Sequence, residues 1–102
     1  MNKNFLKVAA FYAFADLLNL EDLQRTFSHF LKKEDIKGTI LLAHEGINGT
    51  VAGTEVSLDR FENFLKLNNL YQSQNYKTSS CLNNPFPRLK VKLKDEIVSI
   101  GN

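Results

Sequence analysis

Four cationic side chains alternate with aliphatic ones in the segment Arg88-Leu-Lys-Val-Lys-Leu-Lys94. In an extended strand Arg88, Lys90, Lys92 and Lys94 share one side and span about 20 Å, at ~3.3 Å per residue. A row of that length matches several successive phosphates, and binding to them would depend steeply on salt. The competing interpretation is an edge strand whose lysines oppose aggregation, and the residue pattern alone favours it slightly.

The charge distribution along the chain is uneven. Between Gln72 and Lys94 there are five basic residues, among them Lys77, and no acidic residue, whereas the rest of the chain holds 8 basic and 11 acidic residues. A positive patch on a near-neutral body suits a polyanionic partner better than broad attraction to a membrane surface. Aromatic rings on the same face would strengthen an interaction with nucleic acid, and Phe11 or Tyr12 could supply one.

The segment His44-Glu-Gly-Ile-Asn-Gly-Thr50 is a second candidate site. Two glycines within four residues indicate positive φ angles or a close approach by another group. The structural interpretation is a hairpin whose glycines only shape the turn, and composition favours it. The functional alternative is a small polar site or a domain contact. Its candidate residues are Glu45, Gly46, Asn48, Gly49 and Thr50.

Metal and nucleophile chemistry have little support. His29, His44 and Cys81 lack the spacing of a zinc ligand set. Cys81 is followed by Leu-Asn-Asn-Pro, with no neighbouring group that would activate its thiol. We therefore predict no catalytic residue, no metal site and no cofactor in this domain. A single cysteine also makes a reducing, cytoplasmic setting the default.

Length and composition fit one ordinary globular domain. The 102 residues are 43% apolar and 24% charged, which excludes a collagen, a disordered tail and a disulfide scaffold. No apolar run approaches the ~20 residues that span a bilayer, and the first residues lack the pattern of a signal peptide. We expect a single domain over residues 1–102 with no membrane partner.

The elements that must position these residues can be read from periodicity. Predicted strands cover residues 5–14, 39–45, 47–53 and 88–94, and predicted helices cover 20–34 and 58–68. Asn19 is the expected cap of the first helix, and Thr54 or Ser57 of the second. Residues 70–80 stay undecided between strand and irregular structure, and 81–87 are predicted to form a loop.

This order of elements predicts an α+β fold. Strand, helix, strand, strand, helix, strand is the βαββαβ order of the ferredoxin-like, or acylphosphatase-like, split βαβ sandwich. Two helices then cover one face of a mainly antiparallel sheet and leave the other face open. The apolar side of residues 88–94 must face the helices, so the cations are expected on the open face.

Two motifs together carry a family resemblance. Glu45-Gly-Ile-Asn-Gly-Thr50 and Pro85-Phe-Pro-Arg-Leu-Lys-Val-Lys-Leu-Lys-Asp-Glu-Ile-Val98 resemble the N-terminal domain of the rhodanese-related tRNA uridine hydroxylases, and the resemblance covers nearly the whole chain. It implies an acylphosphatase-like fold within an enzyme that makes 5-hydroxyuridine at the tRNA wobble position in an oxygen-dependent reaction. It also implies a following rhodanese domain that carries the reactive cysteine, a position that Cys81 does not match.

Three hypotheses follow from the residues and the resemblance. The first is a tRNA-binding domain that uses the basic strand, and its partners would be tRNA and the rhodanese domain. The second is a docking domain that shapes the rhodanese active site through residues 46–50 and 97–100. The third is a small acylphosphatase. It is disfavoured because Tyr12-Ala-Phe-Ala-Asp16 holds neither the arginine nor the glycines of a phosphate loop.

Overall fold

A computed structural model describes residues 5–95 of the chain as one five-stranded sheet covered on one face by two helices. The strands are β1 (Leu6–Phe14), β2 (Lys37–Ala43), β3 (Gly46–Thr54), β4 (Tyr76–Cys81) and β5 (Leu89–Leu93); the helices are α1 (Leu20–Lys33) and α2 (Glu55–Leu67). The strand order is β4-β1-β3-β2-β5. Strand β5 pairs in parallel with β2, and the other three pairs are antiparallel.

Both helices begin at side-chain caps that the sequence identifies. The side chain of Asn19 accepts a hydrogen bond from the backbone N–H of Asp22, as predicted for the start of α1. At α2, Thr54 rather than Ser57 is the cap: the Ser57 backbone N–H donates to Thr54 Oγ1 at 3.0 Å. The second helix therefore begins three residues before the predicted start.

The core is centred on the ring of Phe61 in α2. This side chain is fully buried, and its centroid lies 5.4 Å from that of Phe11 in β1. It also lies 6.4 Å from Phe27, 6.3 Å from Phe30 and 6.4 Å from Phe64. Phe61 thus connects both helices to β1, and its edge-to-face pairs with Phe11 and Phe27 add to the free energy gained by burial.

The predicted fold class is confirmed, but the prediction of the fourth strand at residues 88–94 is wrong. The fourth strand of the ferredoxin-like order is β4, inside the segment left undecided, and it pairs with β1 from Phe11↔Tyr76 to Leu6↔Cys81. Cys81 therefore ends a strand instead of lying in the predicted loop. The basic segment forms an additional fifth strand at the opposite edge of the sheet.

A connection over residues 82–88 carries the chain from the β4 edge to the β5 edge. Asn84 holds it in place: its Nδ2 donates to the Ala52 carbonyl of β3 at 3.4 Å, and its Oδ1 accepts from the Phe86 N–H at 2.9 Å. The Gly38 N–H then donates to the Arg88 carbonyl at 3.1 Å. This last bond lies at the start of the parallel pairing of β5 with β2, from Gly38↔Leu89 to Leu42↔Leu93.

Replacing Phe61 should therefore cause a large loss of stability. We expect Phe61→Ala to lower the free energy of unfolding by about 3–5 kcal/mol, because it removes a buried ring and leaves a cavity between three elements. Leu67→Ala is the matched control in the same helix; its side chain is 77% exposed, and the change should stay within ~0.5 kcal/mol. Urea unfolding of both variants measures the difference, and equal losses would contradict the assignment.

Tyr76 supplies a second test of the core. Among the described residues, its hydroxyl is a buried side-chain atom without a hydrogen-bond partner, and its ring lies 6.0 Å from that of Phe11. We expect Tyr76→Phe to raise the free energy of unfolding by about 1 kcal/mol at neutral pH, because an unpaired buried hydroxyl is unfavourable. A loss of stability in this variant would show that the hydroxyl has a partner.

The same substitution should also change the pH dependence of stability. Burial, with a smaller effect from the Glu62 carboxylate, raises the pKa of Tyr76. The folded chain therefore retains this proton when the unfolded chain loses it above about pH 10, so the parent loses stability as the pH rises beyond that point. Tyr76→Phe lacks this contribution, and its advantage over the parent should grow at high pH.

Candidate functional site

The face of the sheet opposite the helices, here called the open face, collects the residues singled out from the sequence. Phe11 packs on Phe61, so alternate residues of β1 face the helices, and Ala10 and Tyr12 point the other way. Strand pairing extends these two positions into rows across the sheet. One row is Lys77, Ala10, Thr50, Thr39 and Lys90; the other is Tyr12, Asn48, Leu41 and Lys92.

The basic strand is oriented as its alternation predicts. Leu89 and Val91 pack against the core, and Gln24 of α1 donates through Nε2 to the Val91 carbonyl at 2.8 Å. Lys90 and Lys92 lie on the open face and are exposed. Arg88 precedes the strand and Lys94 follows it, and both are exposed, so they extend the cationic line at its two ends. Leu93, unlike Leu89 and Val91, is 36% exposed.

Lys77 shares this face but lies at the other edge of the sheet. It is on β4, and strands β1, β3 and β2 separate it from Lys90. At ~4.8 Å between neighbouring strands the two positions are about 19 Å apart. The five predicted cations therefore lie at the two opposite edges of the open face, and not along a single strand.

The open face carries positive charge and no negative charge at its described strand positions. Lys37 belongs to it too, since it pairs with Ala52, which in turn pairs with Val8. Sequence reasoning missed Lys37, although its spacing from Thr39 and Leu41 is the signal for a shared face. Lysines at an edge strand can be explained as protection against aggregation, but Lys37 is on an interior strand, so that explanation does not cover the whole set.

The hairpin residues separate into different environments. The turn itself is His44 and Glu45, which the prediction placed at the end of a strand over residues 39–45, and both are exposed. Asn48 is only 8% exposed and Thr50 half-buried, and both lie in the rows of the open face. Gly49 points toward the helices. The two candidate motifs therefore share a face through Asn48 and Thr50, and the remaining hairpin positions do not form a compact site.

Backbone contacts explain why glycine occurs at the start of β3. Gly46 has φ +155°, and a Cβ built there would overlap the Ala13 carbonyl oxygen of β1. The turn carbonyls are also occupied, because Ala15 N–H donates to Glu45 O at 3.0 Å and Leu17 N–H donates to His44 O at 2.8 Å. At Gly46, then, the structural interpretation of the motif has direct support.

Only one of the two aromatic candidates lies on the open face. Phe11 is 2% exposed and belongs to the core. Tyr12 is half-buried on the open face, and its ring meets that of Phe14 edge-on, with centroids 5.7 Å apart and planes at 76°. Phe14, which is 54% exposed, was not predicted to take part, although its i, i+2 relation to Tyr12 places it on the same face.

A metal site and a phosphate loop are the two other kinds of site considered from the sequence. Within residues 5–95, no cluster of three His, Cys, Asp or Glu side chains could hold a metal ion. The N–H groups of Ala15 and Leu17 are bonded to the hairpin, so they are not available to cradle a phosphate as a phosphate loop would. In the same described part of the chain, no helix combines the length and the apolar character needed to span a bilayer.

A comparison with protein families decides what kind of domain this is. The profile described as the UPF0176 acylphosphatase-like domain matches residues 6–97. The chain belongs to this family. The family's acylphosphatase-like description agrees with the ferredoxin-like fold described above.

Curated relatives agree with the resemblance noted in the sequence. The chain is 48% identical over 101 residues to a protein of Bartonella quintana named tRNA uridine(34) hydroxylase, and 46% identical over 99 residues to a protein of the same name from a Picosynechococcus species. These alignments cover 99% and 97% of this chain and 33% of each relative. The UPF0176 domain described here thus spans about a third of the length of the relatives it matches.

Solved structures of low sequence identity share the fold. One is described as BlrP1 BLUF, with TM-score 0.66 and 15% identity, covering 92% of this chain and 67% of the other. Another is an acylphosphatase from Coxiella burnetii, with TM-score 0.56 and 10% identity, covering 86% of this chain and 93% of the other. At such identities the likeness describes the fold alone.

The close approach at Gly46 can be tested by adding one methyl group. We expect Gly46→Ala to destabilise the chain by about 2 kcal/mol or more, because the strained φ and the overlap with the Ala13 carbonyl act together. Gly53→Ala is the control in the same strand. The Cβ at position 53 would meet side-chain atoms of Leu58, Ile36 and Ser57, at 3.0, 3.1 and 3.6 Å, and no backbone atom. Thermal unfolding that ranks Gly53→Ala as the more damaging change would contradict this account.

Proposed function

We propose that this chain is the N-terminal, tRNA-binding or tRNA-positioning domain of a tRNA uridine hydroxylase that forms 5-hydroxyuridine at the wobble position. The observation that carries the proposal is the open face, with Lys37, Lys77, Lys90 and Lys92 and no carboxylate at its described strand positions. The name of the relatives supplies the substrate class. In this proposal the partners are tRNA and a rhodanese domain of the same protein, and the setting is cytoplasmic.

The charges of the face suit contact with an RNA backbone. The exposed residues Arg88, Lys90, Lys92 and Lys94 form a line along β5 that can neutralise successive phosphates. Tyr12 and Phe14 present aromatic surface on the same face, where unpaired bases could stack. Phosphate contacts set orientation and aromatic contacts add selectivity for exposed bases, which together would position an RNA.

The domain's contribution to the reaction would be binding and orientation. Holding the substrate in a productive geometry lowers the barrier of a reaction that other groups perform. The reacting groups would belong to the proposed rhodanese domain, and this domain would need no cofactor of its own. Cys81, on the open face at the end of β4, has no assigned role in this proposal.

A docking role is the second candidate, and a different surface favours it. Leu18 is 88% exposed and lies with His44 and Leu93 around a shallow depression at one end of the sheet. Leu93 is the last residue of β5, so the depression lies at the end of the last described strand. Residues 46–49, proposed from the sequence as part of the contact, are buried within β3, and residues 97–100 lie outside the described residues.

Charge reversal on β5 tests the binding proposal. We expect Lys90→Glu with Lys92→Glu to weaken tRNA binding at least tenfold and to reduce the slope of log affinity against log salt by about 2, one for each lost phosphate contact. Fluorescence anisotropy with labelled tRNA at about 50 and 200 mM salt measures both quantities.

The matched control makes the same change of charge on the helix layer. Lys32→Glu with Lys33→Glu alters two exposed lysines in the last turn of α1. If both double variants weaken tRNA binding equally, net charge explains the effect. That result would contradict the proposal that the open face is the binding surface. If the parent does not bind tRNA even at low salt, the docking candidate replaces the binding proposal.

A further inference from the structure

A shallow pocket of about 260 Å³ lies on the open face where β1, β4 and a short 3-10 turn meet. Its lining residues come from β1, from the turn Ser73–Asn75 and from β4. They are Ala10, Phe11, Tyr12, Gln74, Asn75 and Lys77. Ligand pockets for drug-sized molecules measure ~300–1,000 Å³, so this one suits a single small planar group.

The wall opposite Tyr12 is held in place by the turn before β4. Asn75 donates twice to Gln72, from its backbone N–H at 2.9 Å and from Nδ2 at 3.0 Å. Gln72 Nε2 in turn lies 3.5 Å from the Phe14 carbonyl of β1. Tyr76 then anchors the start of β4 by placing its ring in the core beside Phe11. These contacts attach the rim of the pocket to the same strand that carries Tyr12.

The three kinds of side chain in the pocket fit different parts of a nucleotide. Tyr12 offers the aromatic ring, and its edge-on contact with Phe14 restricts the orientation of that ring. Gln74 is exposed at the rim and carries an amide that can both donate to and accept from the edge of a base. Lys77 supplies a cation in the same lining, suited to a phosphate, and none of the lining residues is acidic.

We propose that this pocket binds one unpaired nucleotide of RNA, with its base stacked on Tyr12 and its phosphate at Lys77. The inference rests on the proposed function and deepens it, since it assigns the β4 side of the open face to a single-stranded base. A base inside a duplex has both faces covered by its neighbours and cannot stack on a side chain. The pocket would therefore select a loop nucleotide, and the lysines of β5, about 19 Å away, would hold the backbone farther along the RNA.

The first experiment compares the binding of one RNA oligomer in its single-stranded and its duplex form. The probes are a short single-stranded uridine oligomer and the same oligomer annealed to its adenosine complement. We expect Tyr12→Leu, which keeps an apolar side chain but removes the ring, to weaken single-strand binding about tenfold, as loss of one stacked base does. Tyr12→Phe should retain the parent's affinity, and duplex binding should change less than twofold in either variant.

The second experiment measures the fluorescence of the Tyr12 ring. The chain has three tyrosines and no tryptophan, so its near-ultraviolet emission comes from tyrosine. Stacking should quench part of this emission when the single strand binds to the parent. Tyr12→Phe should lose that part of the quenching and keep the affinity, a combination that a purely structural role of Tyr12 would not produce.

Lys77 completes the test with its own control. Lys77→Met should weaken single-strand binding and lower the salt slope by about 1, and Lys32→Met on α1 should leave both unchanged. Single-strand binding by Tyr12→Leu at the parent's affinity overturns the pocket, as does equal weakening on single strand and duplex. If Lys90→Glu with Lys92→Glu still weakens tRNA binding in that case, the proposed function survives without the pocket. A parent that binds tRNA but no single-stranded oligomer also overturns the pocket alone, and a parent that binds neither overturns both.

Discussion

Packing of the Phe11 ring on Phe61 is the contact on which the rest of this domain depends. It joins β1 to α2, and the Phe61 ring also contacts α1 through Phe27 and Phe30. Because side chains alternate along a strand, placing Phe11 inside places Tyr12 outside, and a shift of one residue would exchange them. The chemistry of the open face is thus a consequence of how the opposite face packs.

The second constraint is the way in which the basic strand joins the sheet. Its backbone pairs with β2 in parallel, and Gln24 of α1 bonds to the Val91 carbonyl from the helix side. Leu89 and Val91 are thereby held against the core. Lys90 between them and Lys92 after Val91 have no alternative to the open face, so strand pairing and helix packing together orient the cations.

Sequence patterns predicted the layers of the fold better than its edges. The helices were recognisable because their apolar residues recur at helical spacing and Asn19 and Thr54 can cap them. Strand β4 was not, since Tyr-Lys-Thr-Ser-Ser-Cys is mostly exposed at an edge and needs no apolar alternation. The basic segment was correctly read as a strand, but periodicity carries no information about which neighbour a strand pairs with.

The candidate site was predictable in its parts and not in its assembly. Lys90 and Lys92 followed from alternation alone. Their association with Asn48 and Thr50 depends on the pairing register of three strands, which a single sequence does not reveal. The facing of Phe11 and Tyr12 could not be read either, because β1 is apolar on both sides.

The connection over residues 82–88 has a mechanical consequence for the open face. Between Cys81 and Leu89 the chain can extend at most about 26–29 Å, at ~3.3–3.6 Å per residue, and it must cross a sheet about 19 Å wide. About 7–10 Å of chain length, two to three residues, remains beyond that distance, and Asn84 attaches the middle of the connection to β3. Strand pairing across four inter-strand spacings sets the lateral separation of Lys77 from Lys90, and the connection only has to span that distance. Removing three of its residues would leave at most about 17–18 Å of chain, which is too short, and β5 would then separate from β2.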